Sequence, residues 1–319
     1  MKIEVIRRTG RVLTPSALHC LAQTPTVNIT VGCAHRCVYC YTRGYSRHPG
    51  DGRLLVWANT AEMLRRELAR RRTRPAAVYF CPSSDPFQPL EPVLQQTHDS
   101  MRILLRAGIA VQFATKGRIR HRFVSLFADH ADLVHAQIGL TTLDQRLTAI
   151  LEPGAAPIDE RLASIESLSR IGVAVRLRAD PLIHGVTDGD DDWSRLLRAC
   201  RKRGVRSAAA GYLFLRPAIS NSLRKRIGDP DLRRQILQPY ERGESIRLRG
   251  AGTSVTALPA HVRRAAFSRL CRVAQSCGIK MTVCGCKNAD LTNDCCHLTP
   301  LTTNGARSAR EEQFRLWSA

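Results

Sequence analysis

The chain is 319 residues long, and its 49 Lys and Arg outnumber 27 Asp and Glu to give a formal net charge of +22. An apolar fraction of 44% suffices for a buried core and excludes wholesale disorder. No stretch approaches the roughly 18–20 apolar residues of a membrane span, and the opening Met1-Lys2-Ile3-Glu4 lacks a signal-peptide hydrophobic region. The expectation is therefore a soluble, cytoplasmic protein with no membrane partner. Of the basic residues 43 are Arg and 6 are Lys. GC-rich coding inflates Arg but leaves the net charge unexplained, so an anionic partner such as DNA or RNA is the reading that charge supports.

In chain order, residues 1–26 read as an N-terminal extension, 27–242 as the main domain and 243–319 as a helical, Cys-rich C-terminal segment. The β-rich run Val27-Asn-Ile-Thr-Val-Gly32 leads straight into Cys33-Ala-His-Arg-Cys37-Val-Tyr-Cys40. Three thiolates so close together can hold three irons of a [4Fe–4S] cluster and leave the fourth open to a substrate. A structural zinc site takes four protein ligands, and His35 or a distant Cys would have to complete one here. Helical and strand patterns then alternate. Helices are predicted over 61–72, 94–107, 120–128, 143–151, 159–171 and 191–203, and strands over 76–81, 109–115, 133–140, 173–179 and 209–215. Counting the first run, this is the order of an α/β protein with a parallel sheet, a partial (β/α)6 TIM-type barrel with a C-terminal cysteine-rich cap. Functional residues of such a barrel sit at the carboxyl ends of its strands.

At those ends stand three polar groups. The second strand runs into Cys81-Pro-Ser-Ser-Asp85, the third into Thr115-Lys116-Gly117 and the fourth into Gly139-Leu-Thr141-Thr142. Read alone, the first is a tight turn with Asp85 as a helix N-cap. A Lys at a strand end can reach a bound carboxylate, and hydroxyls there can hydrogen-bond an amino-acid or ribose group. Residues 216–250 form the densest basic stretch with few aromatics, which suits phosphate contact better than base stacking, while 243–254 read as a linker. A helix over 261–277 precedes a second cluster, Cys284-Gly-Cys286 and Cys295-Cys296-His297. Its thiolates suit zinc or a second iron–sulfur cluster, with Cys284, Cys286, Cys295 and Cys296 as candidate ligands. Cys20 and Cys200 stand apart and read as small buried core residues.

The CxxxCxxC loop after a first strand, with aromatic Tyr39 before the last Cys, resembles the radical S-adenosylmethionine superfamily. Leu151-Glu-Pro-Gly-Ala-Ala-Pro-Ile-Asp-Glu-Arg-Leu162, Thr115-Lys116 and Pro181-Leu-Ile-His-Gly185 sharpen that resemblance to its spore photoproduct lyase branch, over roughly residues 25–215. The resemblance implies Cys33, Cys37 and Cys40 as cluster ligands and Tyr39 beside the adenine. It implies Lys116 on the cofactor carboxylate, with Ser84, Thr141 and Thr142 as further cofactor contacts. Thiols have weak S–H bonds, and the branch uses a Cys near the corresponding strand end, which makes Cys81 the candidate hydrogen donor. The implied activity is reductive cleavage of S-adenosylmethionine to a 5′-deoxyadenosyl radical that takes hydrogen from a substrate, plausibly nucleic acid, with flavodoxin or ferredoxin as electron donor. Two alternatives stay open: the same chemistry on a peptide or small metabolite, and a zinc-bearing nucleic-acid-binding module.

Overall fold

The computed structural model describes residues 1–294 and 296, apart from 17 and 251. The chain runs through β1 (Lys2–Ile6), β2 (Thr26–Val27), β3 (Thr30–Val31), β4 (Arg53–Trp57), α1 (Thr60–Ala69), β5 (Ala77–Phe80), α2 (Glu91–Arg106), β6 (Ala110–Thr115) and α3 (His121–Ala128). It continues through β7 (Val134–Gly139), α4 (Gln145–Leu151), α5 (Ile158–Arg170), β8 (Ala174–Leu182), α6 (Asp190–Lys202), β9 (Ser207–Tyr212), α7 (Pro217–Arg226) and α8 (Pro230–Leu237). Last come β10 (Glu244–Arg247), β11 (Ser254–Ala257), α9 (Ala260–Ser276) and β12 (Lys280–Val283).

The main sheet is parallel throughout, in the order β12-β9-β8-β7-β6-β5-β2. This is the expected partial TIM-type barrel with one strand more than the sequence pattern gave. β12, in the Cys-rich C-terminal segment, pairs with β9 from Lys280 against Ser207 to Val283 against Ala210. Every residue of β5 and β7 is buried, as a parallel sheet covered on both faces requires. Helices seal the outside. In α6, Asp190, Asp191 and Asp192 sit in the first turn and Arg201 and Lys202 in the last, matching the helix dipole. Its fully buried Trp193 donates from Nε1 to the Leu270 carbonyl at 3.1 Å, which locks α6 to α9.

The β-rich run before the cysteine loop is divided between two sheets. Thr26 and Val27 pair with β5 in the barrel, whereas Thr30 and Val31 pair antiparallel with β4, which in turn pairs parallel with β1. Asn28 lies at the crossing, its carbonyl accepting from Arg8 at 2.5 Å and its side chain from the Ser83 amide at 3.3 Å. The segment read as a linker contributes to an antiparallel pair, β10 with β11. Among the described residues, no helix is long and apolar enough to cross a membrane.

Candidate active site

A cavity of about 270 Å³ opens at the carboxyl ends of the barrel strands. Cys33, Cys37 and Cys40 line it, with Cys81 after β5, Lys116 after β6 and Asp180 late in β8. The loop that carries the three thiols is held by groups from two other segments, the β5–α2 connection and the end of α4 with the turn that follows it. The Gln88 side chain accepts from the Ala34 amide at 2.6 Å and donates to Thr30 at 3.0 Å and to the Asp85 carbonyl at 2.9 Å. Val38 donates its amide to the Leu151 carbonyl, and Gly154 donates its own to the His35 carbonyl. A Cβ at Gly154 would lie 2.2 Å from the Ala34 carbonyl oxygen, so only glycine permits this approach. Gly154→Ala is expected to displace the loop at a cost of about 1–3 kcal/mol, read as a lower melting temperature together with reduced iron retention after anaerobic reconstitution.

Asp85 does not cap α2, whose N-cap is Leu90. Its carboxylate accepts from the Phe87 amide at 2.8 Å, the Thr115 hydroxyl at 2.7 Å and the Lys116 amide at 2.8 Å, and faces His35 Nδ1 at 3.3 Å. Burial works to raise the Asp85 pKa, but the His35 ring and these hydrogen bonds hold it below the usual carboxylate range. One side chain thus ties the cysteine loop to the Thr115-Lys116 strand end. The Lys116 stem then passes over Gly139, where a Cβ would lie 2.7 Å from its Cγ, and Nζ ends 3.4 Å from the Asp180 carbonyl and 5.7 Å from the Tyr39 ring centre.

Tyr39 leads to a buried charge pair that sequence reasoning missed. Its hydroxyl donates to Glu152, and Glu152 pairs with Arg161 at 2.5 Å. Both charged residues are buried, 4% and 1% exposed. Arg161 also donates to the carbonyls of Ala156 at 2.7 Å and Gly139 at 3.0 Å. The motif Leu151-Glu-Pro-Gly with Arg161 is therefore the buttress of the cysteine loop. Spacing gave no sign of this, because the motif and the loop are more than a hundred residues apart.

Of the candidate cofactor contacts, Tyr39, Ser84 and Lys116 reach the cavity, whereas Thr141 and Thr142 are not on its wall. The Thr142 hydroxyl accepts from the Asp144 amide at 3.0 Å, a local turn at the start of α4. Cys81 is buried with φ +53, and burial pushes its thiol up to about 12. Positive φ at a non-glycine residue is a sparsely populated, strained conformation. Burial likewise pushes the Cys37 thiol up to about 12 and Cys33 well above its usual range. A bound cation would favour their thiolate forms.

Cys284, Cys286 and Cys296 line the same cavity, and Cys20 joins them. Cys296 donates from Sγ to Cys284 Sγ at 3.5 Å, and the Cys20 thiol makes side-chain hydrogen bonds with Cys286 and Cys296. Cys20 is thus part of a thiol group and not an isolated core residue, a juxtaposition across more than 260 positions that no local pattern carries. Cys200 is fully buried, as expected. Cys295 lies outside the described residues. Around the mouth stand Arg216 and Arg249, neither of which forms an ion pair among the described residues, with Arg178 and Lys287, which both pair with Asp180.

The model of the Radical SAM superfamily matches residues 27–200, and the chain belongs to that superfamily. Members of that superfamily use a [4Fe–4S] cluster and S-adenosylmethionine, so membership implies both as cofactors. The chain is 29% identical over 204 residues to a radical SAM Nalpha-GlyT isomerase of Pseudomonas phage M6, covering 62% of this chain and 41% of that protein. It is 28% identical over 200 residues to an uncharacterised protein of Mycobacterium tuberculosis, covering 60% of this chain and 59% of that one. It thus spans about half the length of these curated relatives. A spore photoproduct lyase variant with bound AdoMet and dinucleoside spore photoproduct superposes with a TM-score of 0.65 over 88% of this chain and 80% of that one, at 13% identity. That likeness concerns the fold. The residues present fit the family's cofactors: three thiols face a cavity that also holds the Lys116 ammonium, and the buried Nε2 of His35 beside them has no partner in the described structure.

Proposed function

We propose that Cys33, Cys37 and Cys40 would hold three irons of the [4Fe–4S] cluster, leaving one iron without a protein ligand for S-adenosylmethionine. When bound, cluster and cofactor supply a 5′-deoxyadenosyl radical that takes a hydrogen atom from the substrate. The observation that carries this reading is that the three thiols and the Lys116 ammonium share one cavity at the strand ends. Lys116 binds the cofactor carboxylate there, Tyr39 forms the wall beside the adenine, and Ser84 offers a hydroxyl. Asp85 and Glu152 position the loop without touching the reacting atoms. Reduction comes from a carrier such as flavodoxin or ferredoxin.

The substrate we propose is nucleic acid. Support comes from the net charge of +22 and from Arg216 and Arg249 at the mouth, whose guanidinium groups suit phosphate. The superposed lyase variant carries a dinucleoside. Cys81, kept as S–H by burial, stands on the cavity wall and would return a hydrogen atom to the product radical, leaving a thiyl radical that one electron from the same carrier and a proton restore to the thiol. The test is 5′-deoxyadenosine formation by reconstituted protein given S-adenosylmethionine and a strong reductant, beside the Cys33/Cys37/Cys40→Ala triple variant. Product only from the intact loop is expected, and equal product from both would overturn the assignment. With an oligonucleotide substrate in hand, Cys81→Ala is expected to leave deoxyadenosine formation intact and change the nucleic-acid product. An unchanged product returns Cys81 to a packing role. Activity that ignores salt would favour a small metabolite over nucleic acid, whose binding falls steeply with ionic strength.

A further inference from the structure

We propose that Cys20, Cys284, Cys286 and Cys296 are the four ligands of a second metal centre, separate from the loop triad. The ligands come from three segments. Cys20 lies in the single 3-10 turn His19–Leu21, Cys284 and Cys286 follow β12, and Cys296 lies ten residues further on. Four thiols meeting on one cavity wall, with Cys284 and Cys296 both buried, form a donor set that soft metals select. Zinc takes such sets as a single tetrahedral ion, and iron takes them in iron–sulfur clusters. With Zn–S bonds of about 2.3 Å, ligand sulfurs stand roughly 3.8 Å apart; Cys284 and Cys296 stand at 3.5 Å. Among the described residues, no three Cys, His, Asp or Glu side chains stand at metal-binding spacing, so metal binding would draw these thiols closer together. The thiols hydrogen-bond one another, and metal bonds would replace those contacts.

The Cys284–Cys286 turn and Cys296 are fixed independently of any metal, as a built site requires. A Cβ on Gly285 would lie 2.7 Å from the Asp294 carbonyl oxygen, and the Gly285 amide donates to that oxygen at 3.0 Å, so glycine is needed where the two strands of the turn cross. The Cys284 carbonyl accepts from the amides of Lys287 at 3.2 Å and Asn288 at 3.1 Å and from the Asn288 side chain at 2.9 Å. Asn288 is itself buried and held by Arg263 at 3.0 Å. The Cys296 carbonyl accepts from Gln137 at 3.1 Å and Arg176 at 3.0 Å, side chains projecting from β7 and β8. Arg178 reaches the Cys296 side chain as well and offsets the negative charge of a thiolate centre. With four protein thiolates the centre has no open position. It acts as a clasp that pins the N-terminal segment and the turn after β12 to the barrel mouth, and it does not chelate substrate.

The test uses the full chain carrying Cys33/Cys37/Cys40→Ala, purified anaerobically and assayed for zinc, iron and inorganic sulfide. Stoichiometric metal is expected, falling at least about tenfold when Cys20→Ser is added. Zinc without sulfide identifies a single ion, and iron with sulfide identifies a cluster. Absence of both metals, or metal content that Cys20→Ser leaves unchanged, overturns the proposal. Because Cys20→Ser can disturb folding, thiol alkylation mapped by mass spectrometry is read on the unsubstituted protein before and after chelation. Cys20, Cys284, Cys286 and Cys296 are expected to gain label together as metal leaves. Cys20 labelling at one rate in both conditions, or a disulfide within the group, counts against the site. These readouts do not depend on cofactor cleavage, so their failure and failure of the loop assignment are distinguishable.

Discussion

Glu152→Ala is expected to destabilise the protein by about 3–5 kcal/mol, because it strands Arg161 as a buried charge without its partner. Arg161 is 1% exposed and cannot turn to water, and its remaining partners are the carbonyls of Ala156 and Gly139. The loss is not confined to stability. Tyr39 loses the acceptor for its hydroxyl, so the residue between Cys37 and Cys40 is no longer fixed from behind. Urea unfolding monitored by circular dichroism measures the first effect, and iron retention by the reconstituted protein measures the second. Glu152→Gln, which keeps an acceptor for Tyr39, is expected to lose stability while retaining more iron than the Ala variant. A change below about 1 kcal/mol in Glu152→Ala would show that the pair is solvated and that the buttress lies elsewhere.

Lys116→Ala is expected to weaken S-adenosylmethionine binding by about 1.5–3 kcal/mol, the range for a hydrogen bond to a charged group, which corresponds to roughly 10- to 100-fold in Kd. The cluster should still assemble, because the group that joins this strand end to the cysteine loop is Asp85, which accepts from the Lys116 main-chain amide and not from its ammonium. Lys116→Met keeps the stem over Gly139 and removes only the charge, so it should match the Ala variant in affinity. Equilibrium binding of the cofactor, with absorbance near 400 nm as the control for cluster content, separates the two roles. Unchanged affinity in both variants would remove Lys116 from the cofactor site.

The sequence made the barrel legible wherever its pattern was local. Buried parallel strands read as short apolar runs, and helices between them carry 3.6-residue periodicity, so β5 to β9 and α5 to α6 fall close to their predicted spans. β12 escaped because it follows the helix of what looked like a separate cap, and its place beside β9 is a long-range pairing. The split of the first run between two sheets escaped for a related reason, since two-residue strands leave no period to detect. Thr141 and Thr142 lay near a strand end as the rule requires, yet the chain turns there and Thr142 is used by the turn itself.

The spacing of Cys33, Cys37 and Cys40 was legible in the sequence by itself, because the three residues lie within one short loop that is written contiguously in the chain. The strand-end position of Lys116 was determined in the same way, by periodicity and its termination. Only the tertiary structure decided what stands around them. It set the Glu152–Arg161 pair behind Tyr39, the glycine contact of Gly154 with the loop, and the meeting of Cys20 with Cys284, Cys286 and Cys296 on the same cavity. The physical reason is that these contacts form only when the sheet assembles. Residues from opposite ends of the chain come to line one cavity once the seven strands from β2 to β12 form the partial barrel, and no local propensity records which side chains it brings together.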